Sequence, residues 1–263
     1  MAGGVVPVVP TVVILGSRLH RLTLAETCDA VEAMIRAHDR CYLICVKDVG
    51  LTVRCRDDAF LRGFYDRADL VLVDGQGLVL AGRLLGEPLP GPVGGPDLYS
   101  ELLRRAAARD YGVYLLGARP AVVTEATRRL RARTPPLRVV GWRDGFFSGR
   151  EAEVVADIAR AKPDILFLGI STPERERFLD DWRDRLPPCA CVPVGGVFDI
   201  EAGVIRPAPN WVRRAGLEWL FRVLQEPRRL ATRYVHTHSR FAILLAGALL
   251  RRALGADQPG GSR

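Results

Sequence analysis

The sequence predicts a doubly wound α/β fold, a Rossmann-like and mostly parallel sheet with helices on both faces, followed by a basic helical appendage. Three observations carry that prediction. Short apolar runs recur along the chain, stretches with helical apolar spacing separate them, and no strand-like run is visible beyond Asp199.

Taken in order, "TVVIL", "CYLICV", "ADLVLV", "GVYLLG", "LRVVG", "DILFLG" and "CACVPVG" read as strands of one sheet. Segments 24–37, 98–108, 121–132, 151–161 and 173–185 read as the helices between them. Asp74 ends the third run, and Gly75 and Gly77 open a further helix behind it. A buried strand gains nothing from a charge at its carboxyl end, whereas the crevice beyond the carboxyl ends of parallel strands is where open α/β sheets hold ligands. Gly117, Gly141, Gly169, Gly195 and Gly196 also close such runs. Together with Asp74 they form either one ligand-binding rim or a set of ordinary strand-to-helix turns.

Past Asp199 arginine becomes dense, the apolar spacing is helical, and Pro207, Pro209 and Pro227 mark boundaries. Residues 1–200 are therefore expected to form the α/β domain, 201–254 a helical appendage and 255–263 a frayed tail.

Composition narrows the function classes. The 263 residues are 48% hydrophobic and 26% charged, enough for one large core or two packed ones, and the net charge of +8 points to an anionic partner. The first residues, "MAGGVVPVVPTVVILG", lack a basic region and are broken by Pro7 and Pro10, so a signal peptide is not expected. The longest apolar run, "FAILLAGALL", has about half the roughly 20 residues of a spanning helix. Six cysteines show neither a CxxC pair nor zinc-ligand spacing; reduced thiols, a cytoplasmic location and no bound metal are the expectation. The Rossmann GxGxxG fingerprint, the P-loop and any recognised nucleic-acid module are missing.

Several stretches in order and spacing resemble one family. They are "ADLVLVDGQGLVLAGRLLGEPLP", "GGPDLYSELLRRAA", "GVYLLGARPAVV", "GFF" at 145–147, "PDILFLGISTPERE", "VGGVFDIEAG" and "GLEWLFRVLQEPRRLATRY". The chain is similar through them to the WecG/TagA/CpsF glycosyltransferases, glycosyltransferase family 26. The resemblance implies an inverting transfer of a sugar (N-acetylmannosamine, its uronic acid or glucose) from UDP to a sugar on a polyprenyl pyrophosphate. It also implies a cytoplasmic enzyme held peripherally at the inner face of the cell membrane by its appendage, with no cofactor beyond the UDP-sugar donor, no nucleic-acid partner and an open question of homo-oligomers.

By family position Asp74 is the base that takes the acceptor proton, against the alternative of a helix N-cap. Gly75 and Gly77 leave room for the sugar, and Asp97 binds a sugar hydroxyl or caps its helix. Phe146 stacks on uracil or fills the core. Gly117, Gly169, Pro173, Glu176, Gly195, Gly196 and Asp199 line the nucleotide-sugar site, or serve as turns. Arg206, Arg222, Arg228, Arg229 and Arg233 steady charge on the departing UDP, unless they form only a solvated basic face. Four departures stand out. Cys45 and Lys47 occupy the places of a usual "TxN", Arg175 that of the glutamine in "PxQE", Pro92 stands near a usual arginine, and "RAP" reads "PAP" with Pro207. Lys47 and Arg175 would add positive charge to the sugar pocket, so the readings divide: an altered, anionic substrate, a soluble small-molecule acceptor, or a decayed UDP-sugar-binding scaffold.

Overall fold

A computed structural model describes residues 8–209, Val212, 218–225 and 227–254; for 218, 219, 222, 225 and 227–234 it describes the backbone alone. The chain begins with β1 (Thr11–Ile14), β2 (Ser17–His20), α1 (Leu24–Ala37), β3 (Cys41–Lys47), α2 (Val49–Asp57), α3 (Ala59–Arg67) and β4 (Leu70–Val73). There follow α4 (Gln76–Leu84), α5 (Gly95–Arg109), β5 (Gly112–Gly117), α6 (Pro120–Arg133), β6 (Arg138–Arg143), α7 (Glu151–Ala161) and β7 (Ile165–Gly169). The last elements are α8 (Glu174–Trp182), β8 (Cys189–Pro193), α9 (Val197–Glu201), α10 (Glu218–Gln225) and α11 (Pro227–Ala253).

Six of these strands pair in the order β4-β3-β8-β7-β5-β6, every pair parallel, so all their carboxyl ends share one edge. Helices α1, α5, α6 and α9 bury their apolar sides on one face, and α2, α3, α4, α7 and α8 on the other. The central strands β7 and β8 are buried almost throughout, as continuous apolar runs in a two-sided parallel sheet must be. Tyr99 from α5 packs edge-on to Phe167 of β7 with ring centroids 4.8 Å apart, and Phe198 of α9 completes the group.

The first apolar run is a correction to the sequence reading. "TVVIL" is not a strand of the parallel sheet: β1 folds back antiparallel on β2, with Ile14 opposite Ser17. Leu15 and Gly16 both have positive φ (50° and 77°), the conformation of a two-residue hairpin turn whose twist matches its strands. Exposed and buried residues alternate along β1, unlike the all-buried β4 and β8. The pair α2 and α3 also went unread. Each begins at an aspartate cap: Asp48 Oδ1 accepts from Leu51 N at 2.6 Å and Asp58 Oδ1 from Leu61 N at 3.0 Å. A capping box starts α1, where Thr23 and Glu26 exchange backbone and side-chain hydrogen bonds.

The carboxy-terminal helix α11 leans on this frame. Phe241 and Ala248 are buried in the same core as α2, and Arg240 forms a bidentate pair with Asp57 at 2.6 and 3.0 Å. Val235, Ile243, Leu250 and Leu254 stay exposed. Among the described residues no helix is long and apolar enough to cross a membrane.

Candidate active site

The loops at the carboxyl edge of the sheet are tied to one another. Asp74 N donates to Lys47 O at 2.9 Å, Ala118 N to Gly169 O at 3.1 Å, Gly145 N to Ala118 O at 2.9 Å, and Val194 N to Leu168 O at 3.0 Å. These bonds tie the end of β4 to that of β3, and join the turns after β5, β6, β7 and β8 into one group.

Asp74 is half-buried at the end of β4, one position before the N-cap of the helix that follows. The N-cap of α4 is Gly75, at φ 76° with open space where a Cβ would stand, and it has no side-chain cap. Val93 N donates to Val73 O at 2.7 Å, which brings the Gly94–Gly95 turn over the end of β4. A Cβ on Gly94 would lie 3.6 Å from Asp74 Oδ1 and 3.7 Å from Asp97 Oδ2. Asp97 sits in the first turn of α5, whose N-cap is Gly94, again without a side-chain cap. Asp97 is thus not the cap residue. Two helices open beside Asp74 from glycine N-caps, and helix N-termini favour an anion.

The glycines divide by what they accommodate. A Cβ on Gly77 would come 2.5 Å from Val49 Cγ2, so Gly77 lets α4 pack on the start of α2 rather than opening space for a sugar. Gly117 and Gly169 abut: a Cβ on Gly117 would meet Gly169 backbone at 2.4 Å, and one on Gly169 would meet the Phe198 ring at 2.6 Å. These two allow close approach of β5, β7 and α9. Gly195, at φ 54°, faces open space, and Gly196 is the N-cap of α9, in which Asp199 is half-buried. Phe146 is 66% exposed beyond β6, its N–H held by Asp144 Oδ1 at 2.9 Å, while Phe147 turns inward onto Phe178. The next face of the molecule thus carries an exposed ring on a fixed turn. Arg206 is exposed. The side chains of Arg222, Arg228, Arg229 and Arg233 lie outside the described residues.

Of the substituted positions, Cys45, Lys47 and Arg175 gather on the other face of the sheet from Asp97. Lys47 continues the Cys41–Leu43–Cys45 side of β3, only 2% exposed, with Nζ 3.2 Å from Ser17 Oγ and 4.9 Å from the Tyr65 ring centroid. Burial pushes its ammonium pKa down and pushes the Cys45 thiol up to about 12. Arg175, just after Pro173, donates to Glu176 Oε1, to Thr172 Oγ1 at 3.0 Å and to Tyr65 Oη at 3.3 Å. Glu176 is fully buried and also accepts from Tyr65 at 3.0 Å and Thr172 at 3.1 Å, yet its Oε2 has no partner. The Arg175 charge is therefore spent on a buried carboxylate and adds none to a sugar pocket.

Sequence spacing concealed one further cluster. The parallel register sets Cys41 opposite Cys189, and the Sγ atoms of Cys41, Cys189 and Cys191 all lie within 4.8 Å of one another. They are the group among the described residues with metal-ligand geometry, at the strand starts, the opposite edge from Asp74. Cys41 is held below the usual thiol range by hydrogen bonds from Cys189 and Cys191.

Two relatives are each named N-acetylglucosaminyldiphosphoundecaprenol N-acetyl-beta-D-mannosaminyltransferase. One, from Bacillus spizizenii, is 34% identical over 162 residues, which is 62% of this chain and 63% of the relative. The other, from Bacillus subtilis strain 168, is 31% identical over 171 residues, 64% of this chain and 66% of the relative. The matched segment spans slightly less than two thirds of either relative's length. The model of the glycosyl transferase WecG/TagA/CpsF family matches residues 12–255, nearly the whole of the sequence. The chain belongs to the WecG/TagA/CpsF family of glycosyl transferases.

Proposed function

We propose that this protein is an inverting glycosyltransferase that moves a sugar from a UDP-sugar donor to a sugar carried on a polyprenyl diphosphate. The observation that carries the proposal is the placement of Asp74, a strand-end carboxylate at the carboxyl edge of the parallel sheet that, with Asp97, lies against the Gly94 turn. An attacking hydroxyl gives its proton to Asp74 as its oxygen bonds to the anomeric carbon; the bond from that carbon to the UDP oxygen breaks, and UDP leaves. Asp97 orients a sugar hydroxyl, and exposed Phe146 stacks on uracil. The N-termini of α4 and α5, with Arg206, Arg222, Arg228, Arg229 and Arg233, offset the charge on the departing diphosphate.

The names of the relatives support N-acetylmannosamine as the transferred sugar and a lipid-linked N-acetylglucosamine as the acceptor. The exposed apolar residues of α11 beside Arg251 and Arg252 suit contact with an anionic membrane surface, where such an acceptor resides. Residues 201–254 thus act as an appendage that completes the site, in cell-wall or exopolysaccharide assembly. A thermal-shift panel of UDP, UDP-N-acetylmannosamine, its uronic acid, UDP-glucose and UDP-N-acetylglucosamine tests the reading. A donor at a hundred times its dissociation constant adds about 2.7 kcal/mol of stability. UDP-N-acetylmannosamine is expected to exceed UDP alone; no response to any UDP compound contradicts the proposal.

A further inference from the structure

A second pocket lies on the face of β3 opposite Asp97. It is a cavity of about 210 Å³ between the β1–β2 turn, the end of β3 and helices α2 and α3, and it is lined by Gly16, Ser17, Lys47, Thr52, Arg56 and Arg62 among others. Three cations and two hydroxyls face it, and no carboxylate lines it. Gly16 has open space where a Cβ would stand, which keeps the mouth clear.

Lys47 makes the pocket more than a basic patch. Burying an ammonium is costly unless it is paired, yet Lys47 is 2% exposed and, among the described residues, forms no ion pair; it meets the Ser17 hydroxyl at 3.2 Å and the Cys55 sulfur, and the Asp66 charge acts on it only from beyond ion-pair distance. Arg175 does not answer this charge, being committed to Glu176. Arg56 and Arg62 are exposed at the rim and form no ion pair among the described residues. Arg62 Nη1 donates to the carbonyls of Cys55 and Arg56 at 3.5 and 3.3 Å, which holds it at the rim.

Size and charge select the ligand. The cavity is smaller than the roughly 300–1,000 Å³ of sites that enclose a drug-sized molecule, so it takes one group rather than a whole nucleotide sugar. Three positive charges match a multiply charged phosphate better than a single carboxylate, and guanidinium forks fit phosphate oxygens in pairs.

We infer that Lys47, Ser17, Thr52, Arg56 and Arg62 form a binding site for a phosphate-class anion, distinct from the Asp74 crevice. The inference needs no part of the transferase reading. The anion has three sources of one chemistry: free phosphate, a nucleotide diphosphate, or the diphosphate of a polyprenyl lipid.

Calorimetric titration of the full chain at constant ionic strength tests this with inorganic phosphate, UDP and farnesyl diphosphate. One of the three is expected to bind at one site per chain, and the tightest identifies the source. The Arg56→Ser/Arg62→Ser double variant alters only exposed side chains and is expected to weaken that binding at least about tenfold. Lys47→Met, checked for an intact thermal transition, is expected to abolish it. The inference is overturned if no ligand that binds the wild type loses affinity in the two variants, or if all three fail to bind the wild type. UDP binding that survives in both variants while phosphate binding is lost assigns UDP to a separate site and leaves the inference standing.

Discussion

Asp74 and Asp97 converge on Gly94: a Cβ there would stand 3.6 Å from a carboxylate oxygen of the first and 3.7 Å from one of the second. One residue comes from the end of an edge strand and the other from the first turn of α5, 23 positions apart by numbering. What joins them is the Val93 N–H to Val73 O hydrogen bond, which draws the turn before α5 over the strand end. The two carboxylates thus lie close to one short turn at the carboxyl edge of the sheet.

Phe146 offers a direct check on the nucleotide site. Its ring is 66% exposed, so Phe146→Ala should leave the melting temperature within a degree or so of wild type. Stacking on a base is worth about 1–3 kcal/mol, so UDP affinity should fall by about five- to 150-fold. A calorimetric titration that finds UDP binding unchanged removes Phe146 from the site.

Arg175 should prove structural. Arg175→Met leaves the buried Glu176 carboxylate without its cation, a change that costs about 3–5 kcal/mol. Arg175→Gln keeps an N–H donor for Glu176 Oε1 and should cost less. Urea midpoints at unchanged m-value test the order; equal losses in the two variants would mean that the ion pair contributes nothing beyond packing.

Gly77 separates close packing from ligand room. Gly77→Ala places a methyl 2.5 Å from Val49 Cγ2 and should destabilise the fold by about 1–2 kcal/mol, the overpacking cost reduced by the better helix propensity of alanine. Adding Val49→Ala should recover part of that loss in denaturant melts. Full stability with impaired donor binding would instead place Gly77 at the sugar.

His20 gives the fold an acid limit. Its Nδ1 accepts from Val71 N at 2.9 Å, and burial, with Arg18 nearby, pushes its pKa from 6.5 down to about 4. The unfolded chain therefore binds a proton that the folded chain refuses between these values, and stability falls as pH drops through the window. The loss between pH 6.5 and about pH 5 should be on the order of 2 kcal/mol. His20→Asn, whose amide oxygen can take the Val71 N–H, should flatten that slope in urea melts at stepped pH.

Much of the frame was legible because its signals are local. Helices α1 and α7 begin and end where apolar spacing placed them, and the six sheet strands coincide with six of the seven apolar runs. The seventh, β1, misled because a short apolar run does not show its partner; the positive φ at Leu15 and Gly16 that turns it into a hairpin is visible only in the backbone. Helices α2 and α3 were overlooked although Asp48 and Asp58 offered cap signals, since α2 has apolar, polar and charged residues mixed around its circumference. At the site, the strand-end position of Asp74 could be read, but not the direction of side chains. Hence Lys47 and Arg175, which by sequence both add positive charge to a sugar pocket, have separate partners, Ser17 and Glu176.

The most direct test of the account is transfer of labelled N-acetylmannosamine from its UDP donor to N-acetylglucosaminyl-diphospho-polyprenol, comparing the wild type with Asp74→Asn. The account predicts product with the wild type and a rate about 10²–10⁴ lower with Asp74→Asn, with UDP binding and melting temperature retained. A variant that transfers at the wild-type rate would contradict the assignment of Asp74 as the base.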